Sequence, residues 1–147
     1  MSMTYDIAAI PTRYAGVKFR SRLEARWASF FDLCKWRWDY EPLDLHGWTP
    51  DFVINTPYCN VFAEVKPVDQ PDPRDPVFQK AVAHQSRVQV MLLGIGPQRE
   101  CFGGIGILLD PPKGAQCFWP VQEYLCPDDL DEKWREAGNI VQWRGGR

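Results

Sequence analysis

The chain has 147 residues, of which 45% are hydrophobic and 24% charged, and its net charge is −2. These proportions exclude a disordered or collagen-like chain, and a chain of about 150 residues buries roughly 70% of its unfolded surface, so one compact domain over 1–147 is expected. No apolar run approaches the roughly 18 residues needed to cross a bilayer, and the N-terminus MSMTYDIAAIPTRY lacks a charged segment followed by an apolar one, which points to a cytoplasmic protein without membrane contact.

The charge is unevenly spread. Residues 1–37 hold seven basic groups (Arg13, Lys18, Arg20, Arg22, Arg26, Lys35, Arg37) against three acidic ones (Asp6, Glu24, Asp32), a net of +4 that leaves −6 for the rest. That asymmetry suits a basic face that meets phosphate, and equally a solvated charged helix. The five cysteines (Cys34, Cys59, Cys101, Cys117, Cys126) are odd in number and form no CxxC pair, so buried free thiols are expected rather than a zinc module or a disulfide framework.

In chain order, Phe19, Leu23, Trp27, Phe30, Phe31 and Cys34 fall within an arc of roughly 120° at helical spacing and predict an amphipathic helix. Glu24 and Arg20 sit at the margin of its buried face, and Arg22, Arg26 and Ser29 lie on the other side, available to solvent or a polyanion. Ser21 to Glu24 matches the S-x-x-E capping box, which would start the helix near Ser21. The stripe at Phe19 and the break at Gly16 favour an earlier start. Trp36, Trp38 and Tyr40 alternate with charged residues as a half-buried strand that ends at Pro42.

Phe52–Asn55 and Val61–Pro67 are rich in Val, Ile and Phe, and the turn formers Thr56, Pro57, Cys59 and Asn60 lie between them, which predicts a β-hairpin. Folded symmetrically about Pro57 and Tyr58, it places Asp51 opposite Glu64, with Lys66 on the same face. Two opposed carboxylates repel unless a positive group sits between them, and a divalent cation with oxygen ligands is the usual candidate. The proline-rich stretch Pro67 to Pro76 predicts a loop, followed by a short helix from Pro76 through His84 with Asp75 as cap. Val88 to Leu93 predicts a buried strand parallel to the lysine strand.

The glycines from Gly94 to Gly106 fit a hairpin better than a phosphate loop. Ile105 to Leu109 and Gln116 to Val121 read as further strands about a turn at Asp110 to Gly114. Asp128 to Ala137 reads as a helix stopping at Gly138, and VQWRGGR as a strand or basic arm. His46 and His84 lack any supporting motif.

Pro50-Asp51, then Glu64-Val65-Lys66, preceded by a helix bearing Glu24, resembles the PD-(D/E)XK nuclease superfamily. The surrounding FRSRLEARWASFFD, YEP, TPDF and EVKP look most like its small phage- and transposon-type endonucleases, similar to the N-terminal catalytic domain of TnsA-type transposase subunits. The likeness covers roughly residues 14 to 93. It implies an α/β fold with a restriction-endonuclease-like α-β-β-β-α-β core, a mixed central sheet flanked by helices, with extra C-terminal strands and a short helix. It also implies a metal-dependent DNA endonuclease of phage or mobile-element origin. Asp51 and Glu64 would ligate Mg²⁺, with Mn²⁺ able to substitute, together with the Val65 carbonyl. Lys66 would be the catalytic lysine, and Glu24 an additional acid that binds a metal or its water. Gln79 and Lys80 match an accessory polar position loosely. DNA is the implied partner, with a homodimer or partner protein supplying specificity. The alternative from another class is a catalytically inactive nuclease-fold protein used for nucleic-acid binding or assembly. A third, a partner protein using a Trp-rich surface, would show an exposed aromatic patch.

Overall fold

A computed structural model of the protein describes residues 10–42, 44–45, 47–83, 89–98, 104–109 and 118–145. Two compact units are present, one formed by the described parts of Met1–Trp36 and Asp128–Arg147, the other by those of Arg37–Pro127.

The first unit contains a two-stranded ribbon, β1 (Thr12–Tyr14) and β2 (Val17–Phe19), and the helices α1 (Arg22–Leu33) and α4 (Leu130–Gly145). Helix α1 begins at the capping box after all. Ser21 is extended (φ −144°, ψ 156°) and its Oγ accepts the Glu24 N–H at 3.0 Å, so Phe19 closes strand β2 instead of opening the helix. The fully buried Phe19 fits the apolar stripe because the hairpin delivers it to the same core.

At its other end α1 closes in a Schellman motif. The Trp36 N–H reaches the Phe31 carbonyl and the Lys35 N–H the Asp32 carbonyl, both at 2.9 Å. Lys35 holds the left-handed position at φ 63°, where glycine is the usual occupant. The ring of Trp36 rests 6.0 Å from that of Phe31, the apolar contact that accompanies this motif.

Helix α4 continues through Gly138 rather than stopping there. Arg26 explains the glycine: its guanidinium lies 4.0 Å over the Trp134 ring, and Nε and Nη2 donate to the Trp134 carbonyl at 3.1 and 2.8 Å. A Cβ on residue 138 would stand 2.7 Å from its Cζ. Arg26 is therefore engaged by Trp134 of α4 and Ser29 is fully buried, so neither stands on a free face that meets a polyanion. The segment expected to be a strand or basic arm extends α4 to Gly145. Trp27 packs on Phe30, Phe31 and Trp134, so much of the tryptophan content is core.

The second unit is a mixed five-stranded sheet in the order β3-β4-β5-β6-β7: β3 (Arg37–Tyr40), β4 (Phe52–Asn55), β5 (Asn60–Val65), β6 (Gln89–Leu93) and β7 (Ile107–Leu108). All neighbours are antiparallel except β5 and β6, which run parallel and are connected through α2 (Pro76–Val82). From Arg22 the element order is α-β-β-β-α-β. Alternate residues of β4 and β5 are buried, Phe52, Ile54, Val61 and Ala63 on one face, Val53 and Phe62 on the other. The second set packs with Trp48, Phe78, Ala81, Val90, Leu92 and Leu109.

The strand expected over Gln116 to Val121 is instead part of a helix, α3 (Phe118–Tyr124). Pro120 falls in its first turn, where the missing N–H costs nothing, and Val121 and Leu125, four apart, are both fully buried. Short apolar runs do not separate strand from helix by periodicity alone. The Asp110 to Gly114 turn, Gln116, Val88, His46, His84, Cys101 and Cys117 lie outside the described residues. Cys34 and Cys59 are half-buried free thiols and Cys126 is exposed, so the expected buried thiols are not what these three are. Burial pushes the Cys34 thiol up to about 12 against the opposing charge of Lys133, so it is a packing group at neutral pH. No helix among the described residues is long and apolar enough to cross a membrane.

The two ends of α1 give opposite expectations in urea denaturation. Ser21→Ala removes the cap and is expected to lower the unfolding free energy by about 1 kcal/mol. Lys35→Gly relieves a left-handed non-glycine residue and is expected to raise it by about 1 kcal/mol.

Candidate active site

The β4–β5 register is Phe52↔Ala63, Val53↔Phe62, Ile54↔Val61 and Asn55↔Asn60. The pairing ends at Phe52 and Ala63; its register, continued by one and two residues, would set Asp51 against Glu64 and Pro50 against Val65. The proline changes the chemistry of that last rung. In an antiparallel pair the opposed residues exchange N–H···O=C bonds, and Pro50 has no N–H to give. The Val65 N–H donates to the Asp51 carboxylate, at 2.8 Å from Oδ2, although Pro50 keeps its carbonyl; what the proline withholds is the donor that the Val65 carbonyl would take on that rung.

Asp51 is fixed from its other side as well, its carbonyl accepting the Glu41 N–H at 2.9 Å. Glu41 adopts φ 45°, a left-handed conformation that is costly for a residue with a Cβ and doubly unusual before a proline. The Tyr40-Glu41-Pro42 segment therefore anchors the Asp51 backbone.

Glu64 is half-buried at the end of β5, and its Oε1 accepts the Trp48 indole N–H at 2.9 Å. Trp48 is 6% exposed, with its ring 6.3 Å from that of Phe62. A tight turn places it: Leu45 and Trp48 exchange backbone bonds at 2.8 and 2.6 Å around Gly47, whose φ of 77° suits glycine. Lys66 is half-buried, and its backbone N–H still follows the ladder, donating to the Leu93 carbonyl at 2.9 Å. Two residues past Glu64, its side chain leaves from the same face.

The second unit thus brings Asp51, Glu64, Val65 and Lys66 to one end of the hairpin. Glu24 belongs to α1 of the first unit, where it is 9% exposed and its N–H is capped by Ser21. Gln79 and Lys80 lie exposed on α2, with Gln79 Nε2 bonded to the Pro73 carbonyl at 3.0 Å. Sequence reasoning missed Trp48, Glu41 and the ladder-breaking part of Pro50.

Among the described residues no group of three or more His, Cys, Asp and Glu side chains could hold a metal ion by itself. Mg²⁺ does not require one, since it is commonly bound by one or two carboxylates while keeping several waters. The donors at the hairpin end, two carboxylates and a carbonyl, are hard oxygens of that kind. No protein family, curated protein or solved structure matches the chain.

Trp48→Phe keeps an aromatic ring but removes the donor to Glu64. It is expected to lower the unfolding free energy by about 2 kcal/mol, the scale of a hydrogen bond to a charged group. In a double-mutant cycle with Glu64→Gln the pair is expected to couple by about 1 kcal/mol, and additive effects would show that the bond carries no energy.

Proposed function

We propose that the chain is a Mg²⁺-dependent DNA nuclease of the PD-(D/E)XK type, hydrolysing a phosphodiester by direct attack of water. The observation that carries this reading is the hairpin end, where the Val65 N–H donates to the Asp51 carboxylate and the β4–β5 register, continued by one residue, sets Asp51 against Glu64. The α-β-β-β-α-β order from Arg22 supports it. The role of Glu24 rests on the resemblance alone.

Asp51, Glu64 and the Val65 carbonyl would hold Mg²⁺, which when bound supplies charge stabilisation at the phosphate oxygens and lowers the pKa of water. The chain's own residues do the rest. Trp48 holds one oxygen of Glu64, and the Val65 N–H holds one of Asp51, so neither carboxylate must reorganise during the reaction. Lys66 orients the attacking water and places positive charge beside the phosphate. The water oxygen bonds to phosphorus and gives up one proton to solvent, the bond to the leaving oxygen breaks, and that oxygen takes up a proton from solvent, so that no net proton is consumed in that exchange.

A Trp-rich docking surface is not supported. Ile10 and Tyr58 are the large hydrophobic residues exposed among those described, and Trp27, Trp36 and Trp48 are buried.

Plasmid, linear duplex and single-stranded DNA should be incubated with wild type and with Asp51→Asn, Glu64→Ala and Lys66→Ala, in Mg²⁺, Mn²⁺ or EDTA. Wild type is expected to cleave with either metal and not in EDTA, and each variant to lose at least about 10²-fold in rate, as when a main electrostatic contributor is removed. Cleavage in EDTA, or undiminished variants, sinks the site assignment. A wild type that cleaves none of the substrates would favour a non-catalytic binding protein on the same fold.

A further inference from the structure

The ribbon β1–β2 is not used by the hydrolytic chemistry, and its outward face carries an arrangement that stability alone disfavours. The register is Thr12↔Phe19, Arg13↔Lys18 and Tyr14↔Val17. Thr12 and Phe19 are buried, Tyr14 and Val17 half-buried, and Arg13 and Lys18 exposed. Two cations therefore stand directly opposite each other on the solvent face, a pairing that destabilises a sheet. Among the described residues neither side chain has a salt-bridge or hydrogen-bond partner, and Ile10 through Leu23 contains no acidic residue.

The ribbon is also braced. The Tyr14 hydroxyl donates to the Asp32 carboxylate of α1, and β1 packs on both α1 and α4. Its tip is slim: Ala15 (φ 52°) and Gly16 (φ 79°) form a two-residue turn with both residues left-handed, and a Cβ on Gly16 would meet nothing within 4 Å. A rigid two-stranded ribbon with a narrow tip and an unneutralised pair of cations has the size and charge to enter a groove of duplex DNA, which admits such a ribbon.

We propose that β1–β2 is a duplex-DNA contact, with Arg13 and Lys18 each neutralising a backbone phosphate. The proposal rests on DNA being the substrate, as under the proposed function, but not on cleavage. The polyanion would remove the Arg13–Lys18 repulsion, so the two charges are tolerated in the free protein for the sake of the complex. Contacts of this kind position the duplex and read no sequence.

The test is fluorescence anisotropy of a labelled 20-base-pair duplex titrated with the full chain in EDTA over a range of salt concentrations. The proteins compared are wild type, the double variant Arg13→Gln/Lys18→Gln, and Arg135→Gln, an exposed cation on α4. The double variant is expected to bind at least tenfold more weakly at low salt, and its slope of log affinity against log salt should fall by about 1.8, two phosphates at about 0.9 each. Arg135→Gln should stay within twofold of wild type.

Melting separates a binding role from a structural one. Replacing both opposed cations in the double variant should leave Tm unchanged or raise it, whereas a loss of Tm would make the pair structural and overturn the proposal. It is likewise overturned if the double variant keeps the wild-type slope, if Arg135→Gln loses as much, or if wild type prefers anionic phospholipid vesicles or polyglutamate to the duplex. Because the titration is run in EDTA, where no cleavage is expected, its outcome stays separate from the nuclease reading, which can fail in the cleavage assay while the ribbon contact stands.

Discussion

The hydrogen bond from the Val65 N–H to the Asp51 carboxylate occupies the place of a ladder bond, and the candidate site depends on that substitution. A sheet normally consumes its backbone donors and acceptors in its own rungs. Here a proline withholds the donor that the Val65 carbonyl would take, and an aspartate side chain accepts the Val65 N–H. Proline and aspartate are adjacent for a reason that can be stated in hydrogen bonds. The first opens the rung, and the second closes half of it while bringing a carboxylate to the opening.

The remaining parts are held from the core outward. Trp48 belongs both to the apolar cluster under the sheet and to the carboxylate of Glu64, so packing of Phe62, Val90 and Leu92 bears directly on where a charged oxygen sits. Glu41 adds a strained backbone that fixes Asp51 from the neighbouring strand. Strain of this kind, on the order of 1–3 kcal/mol, persists only where the surroundings over-determine it. The surroundings here are the β3–β4 pairing and Pro42.

Much of this was legible in the sequence because the hairpin fixes its own geometry. The turn formers between Phe52–Asn55 and Val61–Val65 set a hairpin symmetric about Pro57 and Tyr58, and the observed rungs from Phe52↔Ala63 to Asn55↔Asn60 are those expected. The parallel strand β6 was legible as a continuous apolar run. What misled was local ambiguity settled by tertiary packing. Phe19 satisfies a helical stripe and a hairpin end equally well, and Ser21 decides between them through one capping bond. Gly138 carries the signal of a helix stop, but the room it makes is for a guanidinium from α1, a partner 112 positions away that no local pattern reveals. The part played by Trp48 is not legible locally, because its indole N–H meets Glu64 sixteen positions away.

The first unit joins the described parts of Met1–Trp36 to those of Asp128–Arg147, whereas the second is one continuous stretch, Arg37–Pro127. During synthesis from the N-terminus the sheet can close as soon as its own residues emerge, largely through contacts between neighbouring strands. Helix α1 must wait for α4, with Trp27 and Arg26 lacking their partner Trp134 until more than a hundred further residues have been made. Closing so long a loop adds entropy that must be met before any contact repays it. Folding should therefore be staged, the hairpin-bearing sheet first and the ribbon with its helix pair last. The exposed aromatic face of α1 is then the segment most open to misassociation in the interval.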